Sequence, residues 1–203
     1  EEYGPARKAF AEQTGRILAR LRSAAAADVP GLAQEGQLER WEEIFRALDT
    51  PVPTFEWAFK YLQGNRPEPT GTTTIVHGDF RLGNMIIGPE GVRAILDWEI
   101  VHLGDPLEDL GWLCARPWRF RGPNPVGGMG EYDELLGGYR DECGVGVDRE
   151  ELRWWEVFGT LRWGIICLLQ ASRHLVGGDR SVELATIGRR VAETELDLLD
   201  AIS

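Results

Sequence analysis

The chain has 203 residues, 43% of them apolar, with 33 acidic against 22 basic side chains and a net charge of −11. That acidity argues against a nucleic-acid binder or a membrane-surface protein, since both need a basic face. The length predicts one domain or two small ones, folded around a core that buries roughly 70% of the surface exposed on unfolding.

The pattern from Ala6 to Arg22 predicts an amphipathic helix with Phe10, Ile17, Leu18 and Leu21 on one face. Gly36–Leu48 and Thr54–Leu62 read as two more helices, and the turn-forming run from Gly64 to Gly71 closes this helical lead-in. The β-branched run Thr72-Thr73-Thr74-Ile75-Val76 then signals a buried strand. Met85-Ile86-Ile87 and Val92–Leu96 flank Gly88-Pro89-Glu90-Gly91, which predicts a β-hairpin. Beyond Pro106 the chain reads as helical again, interrupted by a Gly/Pro-rich loop from Gly122 to Gly130. Tyr132–Glu142, Asp148–Leu175 and Arg180–Leu199 are the remaining helices. Trp154–Ala171 is apolar but contains Glu156 and Arg162, and falls short of the roughly 20 residues of a spanning helix. The three cysteines, Cys114, Cys143 and Cys167, form no Cys-x-x-Cys pair, which argues against a disulfide framework and fits a reducing cytoplasm.

Residue types with chemical potential concentrate in His77-Gly78-Asp79-Phe80-Arg81-Leu82-Gly83-Asn84, directly after the predicted strand. With a turn at Gly88–Gly91, opposed hairpin residues have numbers summing to about 179–180. Asn84 then faces Ile95 and Leu96, with Asp97 its near neighbour. An amide oxygen beside a carboxylate, with room for phosphate and water, suits a magnesium ion. Asp79, in the loop just before, is placed to accept a proton beside that ion. As mere turn chemistry, His-Gly-Asp would have Asp79 bonding its own backbone, but the matching positions of Asn84 and Asp97 favour a site.

The spacing is that of the catalytic loop His-x-Asp-x-x-x-x-Asn of protein-kinase-like phosphotransferases. His-Gly-Asp-x-x-x-Gly-Asn, then Ile-Leu-Asp-Trp-Glu, then Gly-Asp-Pro-x-x-Asp-Leu, resembles the aminoglycoside phosphotransferase / choline kinase family from about Ile75 to Trp112. Within it, His77–Asn84 and Trp118-Arg119-Phe120 are most similar to the kinase-like domain attached to some acyl-CoA dehydrogenases. The resemblance implies an α+β, mostly α fold: the large lobe of a kinase-like protein with a short hairpin carrying the metal ligands. It divides the chain into a helical lead-in (1–71), the catalytic loop and metal hairpin (72–112) and a helical substrate-side subdomain (113–203). It also implies Asp79 as the base, Asn84 and Asp97 as magnesium ligands, His77 beneath the loop, and ATP as co-substrate. Arg81 would stand near the transferred phosphoryl group, or form a surface salt bridge.

Other residues have two readings. Asp105-Pro106-Leu107-Glu108 fits a helix start with a capping aspartate and a glutamate three residues on, and Asp109 braces the catalytic loop if the resemblance holds. Glu99 reaches a second metal or is structural. His102 and His174 have no ligand partners at useful spacing. In Arg116-Pro117-Trp118-Arg119-Phe120-Arg121, an extended segment would set Arg119 and Arg121 on one side and Trp118 and Phe120 on the other. That basic island would suit an anionic acceptor such as a hydroxyacyl-CoA. Glu131–Glu156, with nine acidic and three basic residues, would instead suit a cationic amine, and either run could be a solvated surface.

A kinase also clamps its nucleotide with a glycine-rich loop and a strand lysine, and neither occurs in this sequence. The two lysines, Lys8 and Lys60, lie in predicted helices, and no initiator methionine is present. The expectation is a C-terminal lobe whose N-terminal β-lobe is its missing partner, and a chain that is inactive or nearly so in isolation. The rival is a truncated pseudokinase that binds or regulates. A metal-dependent hydrolase would want more carboxylate or histidine ligands.

Overall fold

A computed structural model describes residues 2–24, 29–34, 36–68 and 71–203. Helix α1 (Gly4–Ser23), α2 (Gln37–Ala47) and α3 (Pro53–Gly64) come first, α3 with its proline in the first turn, where no backbone donor is lost. Four short strands follow: β1 (Thr74–Val76), β2 (Met85–Gly88), β3 (Gly91–Ile95) and β4 (His102–Gly104). The remaining helices are α4 (Leu107–Cys114), α5 (Tyr132–Cys143), α6 (Arg149–Leu175), α7 (Val182–Gly188) and α8 (Val191–Ile202). The fold is α+β and mostly helical. Among the described residues, no helix is long and apolar enough to cross a membrane.

The chain forms two compact units, Glu1–Glu35 with Pro67–Glu156, and Gly36–Arg66 with Val157–Ser203, which do not follow the three segments in chain order. In the first unit, α1 lies against α5 with small residues at the crossing. A Cβ on Gly15 would sit 2.1 Å from the Leu135 carbonyl oxygen, and one on Gly138 would sit 2.3 Å from that of Glu12. Phe10, Leu18, Phe80, Leu110, Leu135 and Tyr139 fill the core between these helices, the hairpin and α4. Ile17 and Leu21, predicted on the same face as Phe10 and Leu18, are partly buried against it. In the second unit, Phe45 packs on Phe55 and Phe59 at ring-centroid distances of 5.8 and 5.7 Å. There the Thr54 hydroxyl donates to Glu195 at 3.0 Å, tying α3 to α8.

β1 pairs antiparallel with β4, Ile75 opposite Leu103. β2 and β3 form the predicted hairpin with Met85 opposite Ile95 and Gly88 opposite Gly91, and an irregularity between Ile86 and Ile87 accounts for the one-residue change in register. Gln13 of α1 clips the turn: its amide donates to the Glu90 carbonyl, and its carbonyl accepts from Val92 N–H, both at 3.0 Å.

Two sequence expectations fail. Arg116–Arg119 is a 3-10 turn, so the alternation of charge and aromatic across an extended segment does not exist. Pro117 starts that turn, and the Arg119 guanidinium folds back onto the Cys114 carbonyl at 2.9 and 3.1 Å. The predicted helix Arg180–Leu199 is two helices, α7 and α8, broken at Arg189 and Arg190. A Cβ at Gly188 would meet that of Ala171 at 2.8 Å, so the break follows a close approach to α6 within the second unit.

Candidate active site

The segment after β1 leaves the strand through Gly78, whose φ of +86 is a left-handed conformation natural to glycine. A Cβ there would also lie 2.8 Å from the Ile100 carbonyl oxygen. On either side of this turn the backbone is held by one buried carboxylate: Asp109 accepts the N–H groups of His77 at 2.7 Å and Gly78 at 2.9 Å. Burial pushes the Asp109 carboxyl up to about 7, with the neighbouring Glu108 adding to the shift and the two N–H donors opposing it. Asp109 thus ties the backbone after β1 to α4.

His77 is fully buried, and its two ring nitrogens have fixed roles. Nδ1 accepts the Asp79 N–H at 3.1 Å, so Nε2 carries the proton and donates to the Leu96 carbonyl at 2.8 Å. Desolvation lowers its pKa, which agrees with this neutral tautomer. The Leu96 N–H in turn donates to the Asn84 carbonyl at 2.8 Å. The loop and the end of β3 are thus knitted together immediately before Asp97.

Four donor contacts converge on the Asp79 carboxylate. The Asn84 amide gives Oδ2 a hydrogen bond at 2.6 Å and the Asp79 carbonyl another at 2.9 Å. The Trp112 indole N–H donates to Oδ1 at 2.8 Å. Arg81 Nε sits 3.1 and 3.2 Å from the two oxygens. With both Asn84 amide hydrogens spent on Asp79, its Oδ1 is the atom left for a cation. The Arg81 guanidinium lies over the Trp118 ring, 4.8 Å from its centroid, in space that a side chain on Gly83 would fill.

Asp97 is exposed, and its backbone is left-handed, with φ of +61. Asn84 and Asp97 together offer the amide and carboxylate oxygens a hard cation takes. Among the described residues, no group of three or more His, Cys, Asp or Glu side chains forms a metal cluster.

Asp105 caps α4, accepting the Leu107 N–H at 2.8 Å, but Glu108 does not close a capping box. Its carboxylate instead pairs with the buried His102 at 3.1 Å. Burial lowers the His102 pKa, but the Glu108 carboxylate and the Ile100 carbonyl raise it more, and the net shift is upward. His174 accepts the Ser181 N–H at 3.2 Å, and Glu99 is exposed.

Of the basic island, Arg116 and Arg121 are exposed, whereas Arg119 serves the fold, bonded to the Cys114 carbonyl, the Tyr132 hydroxyl at 3.2 Å and Glu156 at 3.3 Å. Trp118 is buried beneath Arg81 and edge-on to Trp112, with centroids 5.0 Å apart. The residue that sequence reasoning missed is Trp112. It follows Asp109 by three positions on α4, the spacing that puts two side chains on one helix face.

A model of the phosphotransferase enzyme family matches residues 1–155. Acyl-CoA dehydrogenase family member 11 of Mus musculus is 34% identical over 177 residues, covering 80% of this chain and 23% of that protein. The chain spans between 8% and 29% of the length of such curated relatives. Among solved structures, a candidate aminoglycoside phosphotransferase of Ralstonia eutropha JMP134 superposes with a TM-score of 0.79 at 23% identity, over 98% of this chain and 66% of that one. A spectinomycin phosphotransferase in complex with ADP and spectinomycin superposes with a TM-score of 0.63 at 14% identity, over 94% of this chain and 64% of that one. The chain belongs to the phosphotransferase enzyme family.

Proposed function

We propose that this chain carries the proton-accepting and cation-holding part of an ATP- and magnesium-dependent phosphotransferase acting on a small-molecule hydroxyl. One observation carries the reading: the Asn84 amide is locked onto the Asp79 carboxylate at 2.6 Å, which couples the proton acceptor to an oxygen donor for a cation. Asp79 takes the proton of the acceptor hydroxyl as its oxygen bonds to the γ-phosphorus. The bond from that phosphorus to the bridging oxygen breaks, and ADP leaves. Arg81, already paired with Asp79 and backed by Trp118, has a short path to the charge that develops on the transferred group. Asn84 Oδ1 and the Asp97 carboxylate would hold magnesium, whose chemistry is to neutralise the phosphate oxygens. Most of the catalysis is positioning.

The acceptor we propose is a hydroxyacyl-CoA type alcohol. The support is the kinship with proteins named as acyl-CoA dehydrogenase family members, together with exposed Arg116 and Arg121 beside the Trp118 turn. The glycine-rich clamp and strand lysine are not in this sequence, so the 203-residue chain alone is expected to turn over slowly. A β-rich clamping lobe, wherever it is encoded, would raise the rate.

The test is transfer of labelled γ-phosphate from ATP to a panel of alcohols containing hydroxyacyl-CoAs, aminoglycosides and choline. Asp79→Asn is expected to cut the rate by about 10²–10⁴-fold. A rate unchanged in Asp79→Asn would refute the role of Asp79, and labelling only of amine alcohols would refute the acceptor.

A further inference from the structure

We infer that Trp112 is a positioning residue for the Asp79 carboxylate; this rests on the reading of Asp79 as the base. Among the described residues, the side chains of Arg81, Asn84 and Trp112 donate to that carboxylate. The first two have other work in phosphoryl transfer, one toward the transferred group and one toward the cation. Their hold on Asp79 changes as a reaction proceeds.

Trp112 carries no charge to offer the phosphoryl group or the cation. It is 2% exposed, lies on a helix whose eight residues are all buried, and is packed edge-on against Trp118. Its indole N–H is a donor with no acceptor and no charge. It can hold Oδ1 at 2.8 Å without neutralising the carboxylate and without competing for the proton. With Asn84 on Oδ2 and Trp112 on Oδ1, the carboxylate is anchored at both oxygens, which fixes its plane.

The same helix holds the loop at neighbouring points. Asp109 takes the N–H groups of His77 and Gly78, and Trp112 takes the side chain of Asp79. Since 109 and 112 share a helix face, three successive loop residues are gripped from one side by one rigid element. A 1 Å displacement of a catalytic group can cost on the order of 10²-fold in rate, so such a grip has catalytic weight.

Trp112→Phe keeps an aromatic ring but removes the donor, together with part of the indole's volume. Hα–Hβ scalar couplings of Asp79, measured by NMR in the whole chain, should report one rotamer in the unmodified protein and averaging in Trp112→Phe. With Mg-ATP and water as the acceptor, the variant's kcat should fall about tenfold or more, with the Kd for Mg-ATP within about twofold. If Trp112→Phe does not fold, the Trp112 indole proton decides: its exchange with solvent should quicken at least about tenfold in Asp79→Ala. Unchanged Asp79 couplings in a folded Trp112→Phe, or unchanged indole exchange in Asp79→Ala, would overturn the inference. If the unmodified chain turns over no ATP, as expected of a chain without the clamp, the Asp79 couplings alone decide: one rotamer there and averaging in Trp112→Phe would support the role of Trp112 whether or not the phosphotransferase reading holds.

Discussion

Asp97 combines a left-handed backbone with an exposed carboxylate at the end of β3, where the chain turns away from the hairpin. Non-glycine residues in such conformations carry a strain of roughly 1 kcal/mol or more, and they persist where the surrounding structure holds them. Here the holders are the hydrogen bonds on either side of Leu96, to Asn84 and to His77. Glycine would relieve the strain at that φ but remove the ligand. Asp97→Gly is therefore expected to unfold at higher urea, by about 0.5–1 kcal/mol, while losing its response to divalent cations in the presence of ATP. A destabilised Asp97→Gly would show that the carboxylate serves the fold. The place of Asp97 just beyond the hairpin was legible in the sequence because the four-residue turn sets the register of β2 on β3. Its backbone conformation was not, since aspartate is compatible with several. Arg119 was misread for a related reason: charge next to aromatic residues marks a surface only if the guanidinium has no internal acceptors, and the Cys114 carbonyl and Glu156 are such acceptors.

At the scale of elements, α4 was legible as a helix from Asp105-Pro106, but its role was only half visible. Asp109 stood out by resemblance, whereas nothing in the sequence singles out Trp112, whose N–H donates to Asp79. The break between α7 and α8 was hidden because the apolar pattern runs through it and only Gly188 marks the place. The start of α6 contributes a partly buried acid, Glu156, that receives the Tyr132 hydroxyl at 2.8 Å and the Arg119 guanidinium. Burial pushes its pKa from the ordinary 4.5 up to about 7, against the opposing pull of Tyr132 and Arg119. A carboxyl raised in this way favours the folded state while it keeps its proton. Its contribution is complete below the ordinary carboxylate range and is lost as pH rises through about 7. The melting temperature should therefore fall between about pH 5 and 8, and Glu156→Gln should flatten that fall. An identical slope in Glu156→Gln would place the pH dependence elsewhere, with Asp109 the next group to replace.

Across the whole molecule, most helices, the hairpin and its register could be read from the sequence, because each rests on local signals: apolar period, proline at helix starts, and a four-residue turn. The two compact units could not, since each joins stretches of chain far apart in sequence and only contacts define them. In the proposed function, Asp79, Asn84 and Asp97 form one cation-nucleotide site. This assignment is tested most directly by adding Mn-ATP to the isotope-labelled chain and recording paramagnetic broadening, which reports even weak binding. Broadening is expected to centre on Asn84, Asp97 and the Trp112 indole, and to be lost in Asp97→Ala. Broadening that avoids these residues, or that persists unchanged in Asp97→Ala, would contradict it.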